Sequence, residues 1–468
     1  MLVLSCCILL AYVVASVYAA EENRGLYADG SYYLVRIAET QNFLLFDPAR
    51  TTIQVIRQLP LVILQRWTDL NLAQLGQAFS LSMLLIPVLL CALCWPILPP
   101  GRKPWIFFPI LNLLAGVSAS RFAPVGEGAI AASYFWPLLL LLLFRTKETG
   151  SQVLFLCLLL PAFFLHEAAI LLMPVLALIC ALRFRQESAP RLRIFLALSA
   201  TIAILITAYE LRWILLPQFP EERAAYLSSL FRFVFLISDG RPNLPLVTGI
   251  LALVALAAVA TMNLGASGKA ATWPRTAALV FAAYALIAIA LAWYSDFGFT
   301  PNAQLHARNQ AVFVSAVLAI LATVSTYRQV SAATWMNGPT LIIVATLSAA
   351  QIVWDIAATN RWRSYVDDLK ARLANSVGLI YYEQSFYTGD AAKDINWRLM
   401  TAGYAMPTLS IALNTGGPIA SLVTAPKNTA WQAFDPSKPD QLPKIRGVDY
   451  VPYAEAITRT ARDQHIKF

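Results

Sequence analysis

The sequence predicts an all-α polytopic membrane protein of about eleven transmembrane helices, followed by a small α+β domain. Three observations point there. Of 468 residues, 58% are hydrophobic and 13% charged, with a mean hydropathy of +0.61. No soluble interior of this size hides so much apolar surface. The apolar residues gather into runs near 1–20, 72–97, 106–120, 129–144, 152–165, 168–182, 194–211, 244–264, 277–294, 311–327 and 339–357. Residues 358–468, by contrast, are mixed in charge and carry no such run.

Each run is read against the roughly 20 residues that a helix needs to cross a bilayer. Residues 1–20 suffice. Val17-Tyr18-Ala19 resembles a small-residue cleavage site, but no basic segment precedes it, so a retained first helix is expected. The runs at 106–120, 152–165 and 168–182 are short, as re-entrant helices or helices bordering a watery cavity are. All six cysteines fall inside apolar runs, so no disulfide framework is expected in the tail, and Cys91 and Cys94 read as small core residues.

The net charge of +9 would suggest nucleic acid in a soluble protein. Here it reports topology, and no nucleic acid partner is expected. Short loops holding Arg102 and Lys103, Arg145 and Lys147, Arg183 to Arg193, Lys269 and Arg275, and Arg328 form a basic set, cytoplasmic by the positive-inside rule. The loop 21–71, the vertex His166-Glu167, 295–310 and the tail then face outward. The amino terminus is inside, the carboxyl terminus outside, and the expected boundaries are 1–357 for the transmembrane domain and 358–468 for the outer domain.

The first loop predicts two surface helices. Asp29 is placed to cap one, and Asp47-Pro48 starts the second, with Pro60 expected to kink or end it. An outward carboxylate between tyrosines also suits a general base on a hydroxyl acceptor, a role compatible with capping. Tyr32 and Tyr33 beside it fit the membrane interface and a substrate-binding wall. His166 and Glu167 are acid/base candidates or simply a wetted vertex. His306 and Arg308 lie in SDFGFTPNAQLHARNQ, where a guanidinium at a helix start suits a phosphate or a lipid headgroup. Arg121, Arg36, Arg50 and Arg57 are further phosphate candidates. Neither a phosphate-cradling glycine loop nor a metalloprotease motif occurs. Acidic residues are nearly absent from the depths of the runs, which argues against a cation-coupled transporter.

A long first outer loop with an early acidic residue (ADGSYYLVRIAE), short irregular helices, an outward tip at His166-Glu167 and Arg308 near a late span resemble the GT-C superfamily of integral-membrane glycosyltransferases. FDPAR and WQAFDP also resemble a set of bacterial membrane proteins without an assigned substrate. The resemblance implies transfer of a sugar from a polyprenyl-phosphate donor to a glycan, lipid or protein acceptor, on the outer face of a bacterial inner membrane. It implies Asp29 as base, Arg308 with Arg121 at the lipid phosphate, and His166 and Glu167 lining the cavity. Many members carry a paired acidic motif in the first loop. Asp29 has only Glu39 and Asp47 further on, so a divalent metal ion is left open as cofactor. The rival expectations are an exporter or flippase, or a polysaccharide polymerase or ligase, acting on lipid-linked glycans. The absence of pseudo-repeated halves weighs against a transporter.

Overall fold

The computed structural model describes residues 2–45, 47–124, 126–167, 169–216, 237–238, 241–265, 272–294, 308–329, 335–374, 378–381, 405–413, 420–423 and 445. The described residues are overwhelmingly α-helical. Among the described residues, seven helices are long and apolar enough to cross a membrane, and three apolar helices are shorter.

Helix α1 (Leu2–Glu21) is followed by the first loop, which folds into α2 (Asp29–Thr40) and α3 (Thr51–Trp67). Next come α4 (Leu72–Ile97), α5 (Phe107–Leu111), α6 (Glu127–Phe144), α7 (Thr149–Leu159), α8 (Ala169–Gln186) and α9 (Pro190–Leu215). The last spans are α10 (Leu244–Gly265), α11 (Thr272–Tyr294), α12 (Arg308–Tyr327) and α13 (Gly338–Leu373), with a short α14 (Met406–Ala412) beyond. Each of the eleven apolar runs is thus helical. Seven of the eleven runs are long and apolar enough to cross among the described residues, while 106–120 is broken by irregular turns and 152–165 is divided between α7 and a 3-10 turn.

The run 106–120 is the clearest case. After α5 it passes through a π-helical turn, Asn112–Gly116, and a 3-10 turn, Val117–Ser120, all buried. Small residues allow this irregular segment to sit among helices. A Cβ on Gly249 of α10 would lie 2.6 Å from the Ala115 carbonyl oxygen, and one on Gly116 would lie 3.2 Å from Ala311 Cα of α12. Close backbone approach through small residues is how helices associate where lipid removes the hydrophobic drive. Helix α6 occupies the centre: 94% of its span is buried, against 28% for α11 on the periphery.

A second apolar core lies at the end of the bundle bearing the first loop. It joins α2, the start of α4, α14 and the far end of α13 through Leu34, Ile37, Phe79, Trp362 and Met406. Helix α13 runs unbroken across position 357, so one helix serves both the spanning region and the region beyond. Among the described residues the strands are two short pairs: β1 (Ile237–Ser238) antiparallel to β2 (Arg241–Pro242), and β3 (Gly378–Tyr381) parallel to β4 (Ala420–Val423). Most of 382–468, including NWRLM and WQAFDP, lies outside the described residues.

Candidate functional site

The Asp47-Pro48 signal behaves as its local chemistry requires. Asp47 accepts from Ala49 N at 3.0 Å and caps a 3-10 turn, Pro48–Arg50, that leads into α3. That cap aims Arg50 away from the loop, toward the turn before α8. Its fork makes two bonds to Glu167, Nε to Oε2 at 2.8 Å and Nη2 to Oε1 at 2.7 Å. The remaining arm reaches Glu127 Oε2 at 2.8 Å, and Asp47 Oδ2 stands 3.1 Å from Nε. The other Glu127 oxygen lies 2.9 Å from Arg57 Nη2, and the Arg57 guanidinium sits 3.8 Å from the centroid of the Tyr33 ring. His166 Nδ1 is 3.4 Å from Glu167 Oε2. One chain of charges therefore links α2, α3, the start of α6 and the hairpin tip.

These groups are buried, with Glu127, Glu167, His166 and Arg57 all at or below 6% exposure. Burial alone would push the Glu167 carboxyl up, but the charges of His166 and Arg50 and the two Arg50 bonds outweigh it and hold it down at about 2. Glu167 is ionised at neutral pH and orients its neighbours rather than donating a proton. Asp47 goes the other way. Burial, helped by the charges of Glu167 and Glu127 and opposed by Arg50, raises it to about 6.

Asp29 occupies the first turn of α2. It does not cap that helix: Ala28 is the N-cap residue, at φ 54°, and no side chain bonds there. Asp29 is half-buried and, among the described residues, its carboxylate has no hydrogen-bond or ion-pair partner. It sits one turn from Tyr33 on the same helical face, a spacing of roughly 5–6 Å between Cβ atoms. Helix α2 is pinned from both sides. A Cβ on Gly30 would lie 1.8 Å from the Gly25 carbonyl oxygen, and Ser31 Oγ lies 2.9 Å from Thr408 Oγ1 of α14.

The other expected residues scatter. Arg36 pairs with Glu39 at 2.6 Å, and the Glu39 and Tyr32 contacts raise it above its usual value against the opposing effect of burial. Tyr32 packs edge-on to Tyr33 at 6.3 Å. Arg36, Arg50 and Arg57 thus face carboxylates, which corrects their reading as phosphate ligands. Arg121 is not in this group either. It is buried in a second cluster, 3.0 Å from Asp355 Oδ2, and bonds Ser16 Oγ at 2.6 Å. Arg24 reaches the other Asp355 oxygen at 2.7 Å. That wholly protein-satisfied pairing removes Arg121 from phosphate binding. Pro60 stays inside α3, which continues to Trp67 rather than ending. Arg308 opens α12, while its side chain and His306 lie outside the described residues. Among the described residues, no three His, Cys, Asp or Glu side chains are grouped to hold a metal ion.

Four charged residues escaped the sequence reading: Glu127, Glu210, Arg24 and Asp355. Glu210 and Asp355 lie within spanning helices, so the impression that such helices lack acids is corrected. Their isolation in apolar runs was the available signal. Comparison of the chain with protein-family models, with curated proteins and with solved structures finds no match.

Proposed function

We propose that this protein is a membrane glycosyltransferase of GT-C type, moving a sugar from a polyprenyl-phosphate donor to a glycan, lipid or protein acceptor. The observation that carries the reading is Asp29: a carboxylate that has no partner among the described residues, held by a tightly packed helix one turn from Tyr33. The Tyr33 ring in turn covers the charged chain running to His166. A base for an acceptor hydroxyl needs a carboxylate with open acceptor positions on a rigid element.

In this reading Asp29 takes the acceptor hydroxyl proton as the acceptor oxygen bonds to the anomeric carbon. The bond from that carbon to the phosphate oxygen breaks, and its electrons leave with the polyprenyl phosphate. Arg308, at the start of α12, neutralises the departing charge with the help of the helix N-terminus. His166 and Glu167 line the acceptor side, and Tyr32 and Tyr33 form its wall. The membrane lipid is the solvent of the donor tail. The site faces outward from a bacterial inner membrane, with the amino terminus inside. Short runs complete about eleven passages, and the tail forms a small α+β acceptor-selecting domain.

The experiment is to incubate the purified full chain with radiolabelled polyprenyl-phosphate sugar and a membrane glycan extract. Label moving into the glycan fraction supports the reading. A folded protein that moves none overturns it.

A further inference from the structure

Helices α4 and α7 both pack against α6, and a groove of about 490 Å³ runs between them. That volume falls within the roughly 300–1,000 Å³ of ligand-binding clefts. Leu90 and Leu93 of α4 form one wall, Leu154 and Leu158 of α7 the other, and Pro137 and Leu141 of α6 the floor. Leu93 and Leu154 are 55% and 46% exposed. Both stand on apolar helices, so the groove opens sideways onto hydrocarbon rather than onto water.

Its polar groups gather at one end. Arg145 caps the end of α6, and Glu148 and Ser151 stand beside it at the start of α7. At the other end the Tyr134 hydroxyl donates to Leu158 O at 2.7 Å, tying α6 to α7. From Tyr134 to Phe144, α6 rises about 15 Å, at about 1.5 Å per residue. One leaflet is half of the roughly 30 Å hydrocarbon core. The groove is therefore one leaflet deep, with its polar end at the surface.

The guanidinium at that end is fixed in place. Arg145 Nε donates to Ile97 O at 2.8 Å, and Nη1 donates to Glu148 Oε1 at 2.6 Å. Glu148 Oε2 accepts from Ser151 Oγ at 3.0 Å. Among the described residues Nη2 of Arg145 has no partner. Arg102 and Lys103 stand at the same end, against the rings of Phe144 and Trp95. An open arm of a guanidinium, among other bases at the mouth of an apolar slot, suits a phosphate that carries a hydrocarbon chain. A helix covering the groove would bring the hydrocarbon without the anion.

We propose that this groove binds a phospholipid, one acyl chain lying between α4 and α7 and the phosphate resting on Arg145. The site is separate from the sugar-transfer reading, since Glu127 and the charged chain lie at the start of α6 and Arg145 at its end. It stands whether or not the protein transfers sugars.

The test titrates phosphatidylglycerol with a diazirine in one acyl chain onto the full chain in phosphate-free dodecyl maltoside, and maps the label by peptide. Label should concentrate at the groove over Leu279 and Leu286 of α11, although these are 62% and 64% exposed. Unlabelled phosphatidylglycerol should displace it, and diacylglycerol or inorganic phosphate should not. Arg145→Gln should weaken binding at the groove about tenfold. Leu93→Trp should fill the slot and block it, at an unchanged melting temperature. Leu93 is exposed, so this variant decides alone where Arg145→Gln does not fold. Equal label on groove and α11, displacement by diacylglycerol or by inorganic phosphate, unchanged affinity in folded Arg145→Gln, label surviving Leu93→Trp, or groove peptides shielded by a second copy of the chain would each overturn the proposal.

Discussion

Replacing Arg50 by glutamine tests whether the first loop and the hairpin tip are one unit. Arg50 is 12% exposed at its side chain and carries two bonds to Glu167, itself 8% exposed. Glu127 keeps Arg57 at 2.9 Å, so Glu167, left with His166 at 3.4 Å, is the carboxylate that loses most. Breaking a buried pair by removing one partner costs about 3–5 kcal/mol. His166 as well as Arg50 holds the Glu167 carboxyl down, so the lower end of that range, about 3 kcal/mol, is expected. The assay is a double-mutant cycle of Arg50→Gln and Glu167→Gln, read by reversible unfolding in mixed micelles. A coupling of about 2 kcal/mol is expected near neutral pH. A depressed carboxyl stabilises the fold above its ordinary range and loses that contribution as pH falls from 4.5 toward about 2, so the coupling should fade there. Additive single variants, or a coupling unchanged at low pH, would refute the reasoning.

Four further outcomes follow from the same geometry. Gly30→Ala puts a Cβ 1.8 Å from a backbone oxygen that cannot swing aside, and should cost about 3 kcal/mol or more. Gly101→Ala, with nothing within 4 Å, should leave the melting temperature unchanged. Asp355→Asn strips the counter-charge from Arg24 and Arg121 and should cost about 3–5 kcal/mol, with partial recovery on adding Arg24→Gln, measured as detergent melting curves. Asp47, raised from 3.8 to about 6, contributes stability below about pH 4 that is lost as pH rises through 6. Asp47→Asn keeps a competent cap and should flatten that fall in a pH series of melts.

Local chemistry was legible in the sequence, and pairing was not. Asp47-Pro48 announced its turn because a cap and the residue after it are neighbours. Asp29 looked like a cap for the same reason, but Ala28 takes that position at φ 54°, under packing of Gly25 against Ser80 and Gly30 against Gly25. Each apolar run holds a helix. What 106–120 does with its shortfall depended on Gly249 and Ala311, far along the chain. The arginines of the first loop read as phosphate ligands because their partners are remote: Glu127 lies 77 residues from Arg50, and Glu167 lies 117. Glu210 and Asp355 were visible as isolated acids in apolar runs, and weighing each singly would have found them.

The most direct test of the catalytic reading compares wild type with Asp29→Asn in single-turnover transfer from a radiolabelled polyprenyl-phosphate sugar, with melting curves to verify the fold. Loss of a general base predicts a fall of about 10²–10⁴-fold in rate at an unchanged melting temperature. Equal turnover by the two proteins would contradict it.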